Sequence, residues 1–169
     1  MRQIIRGIRN LIAYVPLIWR DRDFDYSYLL EMLVFKLRRM EAAFGPAEST
    51  TSDADEVAKD IKLCHEALAR ALEDDYRTEE LAAHQQRWGK QGCPKCGEWL
   101  CGCFPVYGKD GSTIAHTLVL EYPDAHGENE QAQASEAKLA IYHQQYADKD
   151  NDLKLAFSIM GERIQWWWN

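Results

Sequence analysis

No stretch of this chain approaches the roughly 20 consecutive apolar residues that span a bilayer. The longest apolar run near the start is Leu11 to Trp19, and Pro16 interrupts it. No small-residue cleavage site follows it, so a secretory leader is not expected. Catalytic signatures are missing as well. There is no glycine-rich phosphate loop after a strand, no H-E-x-x-H and no G-x-S-x-G. His84 and His143 fall on predicted helices, His116 on a predicted strand and His126 in a loop after Pro123. None has a neighbouring Ser, Cys or Asp at triad spacing. A non-enzymatic role is therefore expected. Internal repeats and low-complexity tracts are absent too.

A disulfide framework is also missing. The chain has five cysteines, an odd number, and four of them crowd into Cys93 to Cys103. That distribution suits a reducing compartment and a metal site. Positive charge is scarce: Lys and Arg number 20 against 27 Asp and Glu, a net charge of −7. General binding to a nucleic-acid backbone needs clustered cations, so it is not expected. Acid is nevertheless absent from the first twenty residues, which hold Arg2, Arg6, Arg9 and Arg20. The acids gather between Glu48 and Glu80 and again between Glu121 and Asp152.

What is present is apolar periodicity at helical spacing. With 169 residues and 46% hydrophobic content, the chain suits one domain built around a real core. Ile4, Ile8, Leu11, Val15 and Ile18 predict a helix over 3–19 with one apolar stripe. Such a stripe usually faces a protein interior, and docking on the core is expected. A basic amphipathic helix also suits an anionic membrane surface. Arg20 to Asp25 is a polar break whose aspartates can cap the next helix or, less simply, meet a divalent cation. Tyr26, Leu30, Leu33, Leu37, Met40 and Phe44 predict a central helix over 26–44, with Leu29, Met32 and Phe35 adding a second apolar side. Gly45-Pro46 ends it. Asp53 and Glu56 have capping-box spacing before a helix carrying Val57, Ile61, Cys64, Leu68 and Leu72 to about residue 74. Cys64 lies on that stripe and reads as a small core residue, with His65 beside it. A shorter helix is expected over 78–88.

Between 89 and 123 Gly and Pro become dense. Lys109-Asp110-Gly111 between Phe104–Tyr107 and Ser112–Tyr122 predicts a two-stranded ribbon. A helix over 128–147 follows, with Ala134, Ala137, Ile141 and Gln145 or Tyr146 on one face. After a polar break at Asp148 to Asp152, a last helix carries Leu153, Phe157, Met160, Ile164 and Trp167. The expected architecture is mainly α: a bundle of about five to six helices with a cysteine-rich knuckle and hairpin inserted. Residues 1–88 and 124–169 would form the helical body of a single domain, and 89–123 the insertion.

Cys93-Pro94-Lys95-Cys96-Gly97 is the turn of a zinc knuckle, and Cys101-Gly102-Cys103 can complete a four-sulfur set. Zinc is the expected metal, with iron–sulfur chemistry or a redox disulfide as alternatives. The two pairs stand closer together than zinc ribbons normally place them, so the loop must fold sharply over Trp99 and Leu100. Four thiolates leave no open position, so the role expected for Cys93, Cys96, Cys101 and Cys103 is structural. A second cluster is aromatic and basic: Arg20, Arg22, Phe24, Tyr26 and Tyr28 around the first break, with Arg163 and Trp167 near the far end. Guanidinium groups beside aromatic faces hold bases and phosphates, and they equally close cores and dimer interfaces.

The stretch Trp19-Arg-Asp-Arg-Asp-Phe-Asp-Tyr26, then Tyr28-Leu-Leu and Phe35-Lys-Leu-Arg-Arg-Met40, resembles a family of small bacteriophage and prophage proteins of unassigned activity. The shared pattern is W-x-D-R-D-x-D-x-x-x-L-L leading into K-L-x-x-M. The isoleucine-bearing helix from Ile159 closing on Trp-Trp, and Tyr122-Pro123 before an acidic helix, are similar too. The cysteine segment departs from that pattern. The resemblance implies a phage accessory protein of the host bacterial cytoplasm. By analogy of origin it would be a homo-oligomeric antagonist of host defence, sequestering a nucleotide-type signal or a host component. The alternative is a zinc-stabilised structural or adaptor protein of the virion or replication machinery.

Overall fold

The computed structural model describes residues 2–19, 26–44, 54–99 and 101–168. Five α-helices dominate: α1 (Arg2–Ile18), α2 (Tyr26–Phe44), α3 (Ala54–Glu73), α4 (Thr78–Trp88) and α5 (Gly127–Arg163). A two-stranded sheet, β1 (Pro105–Tyr107) and β2 (Thr113–His116), lies between α4 and α5, and a 3-10 turn covers Trp166–Trp168. The chain divides into two compact units, Met1–Asp75 with Asp148–Asn169, and Tyr76–Ala147. The capping pair's Asp53 and the Gly45-Pro46 stop lie outside the described residues.

The first unit is built on the stripes of α2 and α3. Leu30, Val34, Leu37 and Met40 of α2 pack with Ile61, Cys64, Ala67 and Leu68 of α3, and with Ala156, Met160 and Trp167. Small residues let the helices approach closely: Cys64 Sγ lies 3.6 Å from the Ala156 carbonyl oxygen. Burial, and then Asp60 beside it, push the Cys64 thiol up to about 11, so it sits in the core as an inert neutral group. His65 is also buried, its Nε2 2.6 Å from Glu41 Oε2.

Three expectations need correction here. The last two predicted helices are one, because the polar stretch 148–152 stays helical. It contains neither Gly nor Pro, and its charges find partners. Arg70 donates two hydrogen bonds to Asp152 at 2.8 and 2.7 Å, and Lys149 donates to Asp74 at 3.0 Å. The expected inward face of the last helical segment holds only in part. Ala134, Met160 and Trp167 are buried and Ile141, Gln145 and Leu153 half-buried, but Ala137, Phe157 and Ile164 are exposed, and Lys138 and Ala156 turn inward beside that face instead. The third correction concerns α1. Its stripe does not dock on the core: Ile4, Ile8, Leu11, Val15 and Ile18 are all exposed. The helix instead meets α2 through its other side. Tyr14 stands edge-on to Phe35 with ring centroids 4.9 Å apart, and Arg39 donates to Asn10 Oδ1 at 2.7 Å.

The second unit has a smaller core of Trp88, Tyr122, Ala125 and Ala134. His84 Nε2 lies 2.8 Å from the Ala134 carbonyl oxygen and its ring stands edge-on to Tyr122 at 5.3 Å. Gln131 clips the entry to α5, accepting from Tyr122 N at 2.9 Å and donating to the carbonyls of Tyr122 and Ala125 at 2.8 and 2.9 Å. The hairpin forms where Asp110-Gly111 predicts it. Asp110 Oδ1 accepts from the Ser112 backbone and hydroxyl at 3.1 and 2.7 Å, and Gly111 takes φ +81°. The strands pair antiparallel with a bulge between Val106 and Tyr107. The second strand stops at His116, short of Tyr122. Glu121 leaves the ribbon to bridge Gly92 instead.

Candidate metal centre

The four cysteines of the loop come together. One ligand atom from each of Cys93, Cys96, Cys101 and Cys103 lies within 4.8 Å of all the others, a set that can hold a metal ion. It is the one such group among the described residues. Four sulfurs bonded to one ion at zinc–thiolate distance stand about 3.8 Å apart. The spacing therefore suits a single ion, whereas an iron–sulfur cluster spreads its thiolates over several irons.

Local backbone chemistry explains the convergence. Gly92 is tied to Glu121 by two backbone hydrogen bonds, 3.0 and 2.9 Å, which anchors the chain just before Cys93. A tight turn follows, with Gly97 N donating to the Cys93 carbonyl at 2.7 Å and Cys93 N donating to the Glu98 carbonyl at 2.9 Å. Gly97 takes φ +77°, a conformation that favours glycine directly after the second cysteine. Lys95 N points at Cys93 Sγ from 3.4 Å, the amide-to-sulfur contact a thiolate welcomes. The second pair is held by Lys95, whose Nζ donates to the Cys103 carbonyl at 3.3 Å and sits 4.3 Å from the Phe104 ring.

The sulfurs also perturb one another. Burial raises the Cys93 thiol. Hydrogen bonds from Cys101, from the backbone at Lys95 and Cys96 and from Cys96 itself outweigh that and lower it to about 7. Cys101 gains a favourable backbone bond from Cys103, yet bonding to Cys93 and burial leave it raised. Cys103 is pushed up to about 12, first by Cys101 and Cys96 and then by burial. One thiol of the four ionises readily and the last strongly resists. Crowded anions without a counter-charge behave this way, and a divalent cation supplies the missing charge.

Sequence reasoning did not find the support for this loop. Lys138 of α5 places its Nζ 5.3, 5.9 and 5.8 Å from the rings of Trp99, Tyr122 and Tyr142, and donates to Gln91 Oε1 at 3.0 Å. Burial lowers its pKa. Trp99 of the loop thereby rests on a cation from a distant helix. Nothing local to either residue signals that pairing.

Described members of the predicted basic and aromatic set line two different hollows. Arg20, Arg22 and Phe24 lie outside the described residues. Tyr26 is exposed and Tyr28 half-buried at the start of α2. Tyr26 lines an open apolar groove of about 680 Å³ with Leu29, Leu33, Leu153 and Phe157. Arg163 and Trp167 line a different hollow of about 540 Å³ with Glu56 and Asp60. There Arg163 donates to both acids, at 2.9 and 3.0 Å, so its charge is already answered. Trp167 is a core residue, 2% exposed.

Comparison with protein families, with curated proteins and with solved structures returned no match.

The close approach of Gly92 to Gly97 gives a direct test of the turn. A Cβ at position 92 would strike the Gly97 carbonyl, which is backbone and has no freedom to turn aside. Gly92→Ala is expected to weaken metal binding about tenfold or more, as changes in a supporting shell do. Competition against a chromophoric chelator measures it, and an unchanged midpoint would show that the turn does not depend on this contact.

Proposed function

We propose that this chain is a non-catalytic adaptor whose cysteine-rich loop is set by one structural zinc ion. The supporting observation is the convergence of four thiols to within 4.8 Å of one another. A complete thiolate shell leaves no coordination position for water or substrate, so the ion orders the loop and does no chemistry. The loop is too short and too rich in Gly to order itself, and metal binding supplies that order. On the resemblance to phage proteins, the adaptor works in the bacterial host cytoplasm, joining a phage assembly or obstructing a host defence component.

A second reading, capture of a nucleotide-type signal, rests on the Arg20 to Tyr28 cluster. Tyr26 presents an exposed ring there. Arg163 favours the adaptor instead, because Glu56 and Asp60 occupy the guanidinium a phosphate would need.

Freshly purified protein should carry one zinc per chain and release no small molecule on gentle denaturation, as read by mass spectrometry. Its melting temperature should not move with cyclic or ADP-ribose-type nucleotides. A carried nucleotide, or a clear thermal shift, would establish the second reading in place of the first. Protein that contains no metal, with every thiol titratable, would remove the zinc.

A further inference from the structure

We infer that α1 is an interfacial helix that lies on an anionic membrane surface. Ile4, Ile5, Ile8, Leu11, Ile12, Val15, Ile18 and Trp19 are every one of them exposed, from 47% at Ile5 and Val15 to 87% at Trp19. At about 100° per residue these side chains fill one continuous sector of about 140°. No polar residue interrupts it. Monomeric soluble proteins rarely leave an apolar patch of this extent uncovered.

The helix is attached to its unit the opposite way round from an ordinary surface helix. Its partly polar side faces the protein, through Tyr14 against Phe35 and Asn10 beneath Arg39. Ala13 and Leu17, on that same side, are half-buried. The apolar side is turned outward.

Width and charge decide the occupant. A flat boundary between headgroups and acyl chains splits a helix lengthwise, and an apolar sector of about two-fifths of the circumference fits that division. The seam of a two-helix pair needs a narrower stripe. Arg9 is exposed about 40° past the edge of the apolar sector, at the level where headgroup phosphates lie, and Arg6 is exposed farther round the helix. The chain's first acid is Asp21, and all 27 acids lie beyond α1. A net charge of −7 would repel the rest of the molecule from an anionic surface. The α1 segment offers it both cations and apolar area. Trp19 closes the helix with an aromatic ring of the kind enriched at membrane interfaces. No helix of the described residues is long and apolar enough to cross a membrane, so this contact is one of lying on the surface. It shares no residue with the cysteine site.

The test uses the whole protein and sedimentation with vesicles of phosphatidylglycerol and phosphatidylcholine, against vesicles of phosphatidylcholine alone. Binding is expected to the anionic vesicles and to weaken as salt rises. Ile8→Glu with Leu11→Glu should lower partitioning about a hundredfold or more, because two inserted apolar groups become charged. Arg6→Glu with Arg9→Glu should abolish the preference for anionic lipid. Neither pair contacts the core, so both variants should melt as the parent does. If either fails to fold, quenching of tryptophan fluorescence by brominated lipid, compared between the parent and Trp19→Phe, reads the same insertion. Parent protein that stays with the supernatant at both compositions overturns the proposal. So does binding that is indifferent to lipid charge and salt. A parent dimer that Ile8→Glu with Leu11→Glu splits into monomers, without vesicle binding, assigns the face to a second copy instead.

Discussion

Cys96→Ser is expected to reduce bound metal from one ion per chain to none. Cys96 is the exposed member of the quartet. Replacing its sulfur by oxygen therefore removes almost no packing, and any large effect must come through the ion. A serine hydroxyl stays protonated at neutral pH and does not replace a thiolate. Structural zinc sites bind with apparent free energies of about 10–16 kcal/mol in zinc-finger peptides at pH 7, and that energy is folding energy. Losing one ligand of four should thus disorder the loop from Gly92 to Phe104 together with the Gly92–Glu121 bridge. Hydrogen exchange should rise there, while α2 and α3 keep their protection. Chelation of the parent protein should give the same pattern. Acidification should release the ion, because protons compete for the thiolates that bind it. A Cys96→Ser protein that retains a full equivalent of metal would show that the quartet is not the site.

Leu68→Ala should have one of the largest effects of any single change in the first unit. Leu68 is fully buried among Ile61, Cys64 and the α2 residues Leu30 to Met40. Truncation removes its transfer energy and leaves a cavity that the surrounding helices fill only in part. Changes of this kind cost about 2–5 kcal/mol. Small domains have about 5–15 kcal/mol in total, so a large share of the stability would go. Urea unfolding should show a lower midpoint at unchanged slope. Leu63→Ala, on the half-exposed side of the same helix, serves as the comparison and should stay within about 0.5 kcal/mol. Equal losses at both positions would mean that α3 is not oriented as described.

Position 63 against position 68 shows how far periodicity reaches. The stripe Ile61, Cys64, Leu68 could be read directly, because a regular helix turns a spacing of three and four into a face. The extent of α2 was legible for the same reason. In α5 the pattern misled. The run Asp148 to Asp152 looks like a break when its charges are counted alone. It is helical because Arg70 and Lys149 complete ion pairs with residues from the other side of the unit. Lys138 looks like a solvent-facing cation until the rings of Trp99, Tyr122 and Tyr142 surround it.

The cysteine quartet belongs to the legible part. Its spacing, with Gly97 after the second cysteine, brings the sulfurs together by turn geometry, and turn geometry is local. The helical class and the identity of the main buried stripe are local in the same sense. Which side of α1 meets the protein is not. Its sequence supplies two dissimilar faces and no rule for choosing between the core and the outside. That choice rests with Phe35 and Arg39 on another helix, which hold Tyr14 and Asn10 and so turn eight large apolar side chains away from the core. Residues close in the chain set local form through bond geometry and hydrogen bonding. Residues far apart set orientation through packing, and packing exists only once the chain has folded.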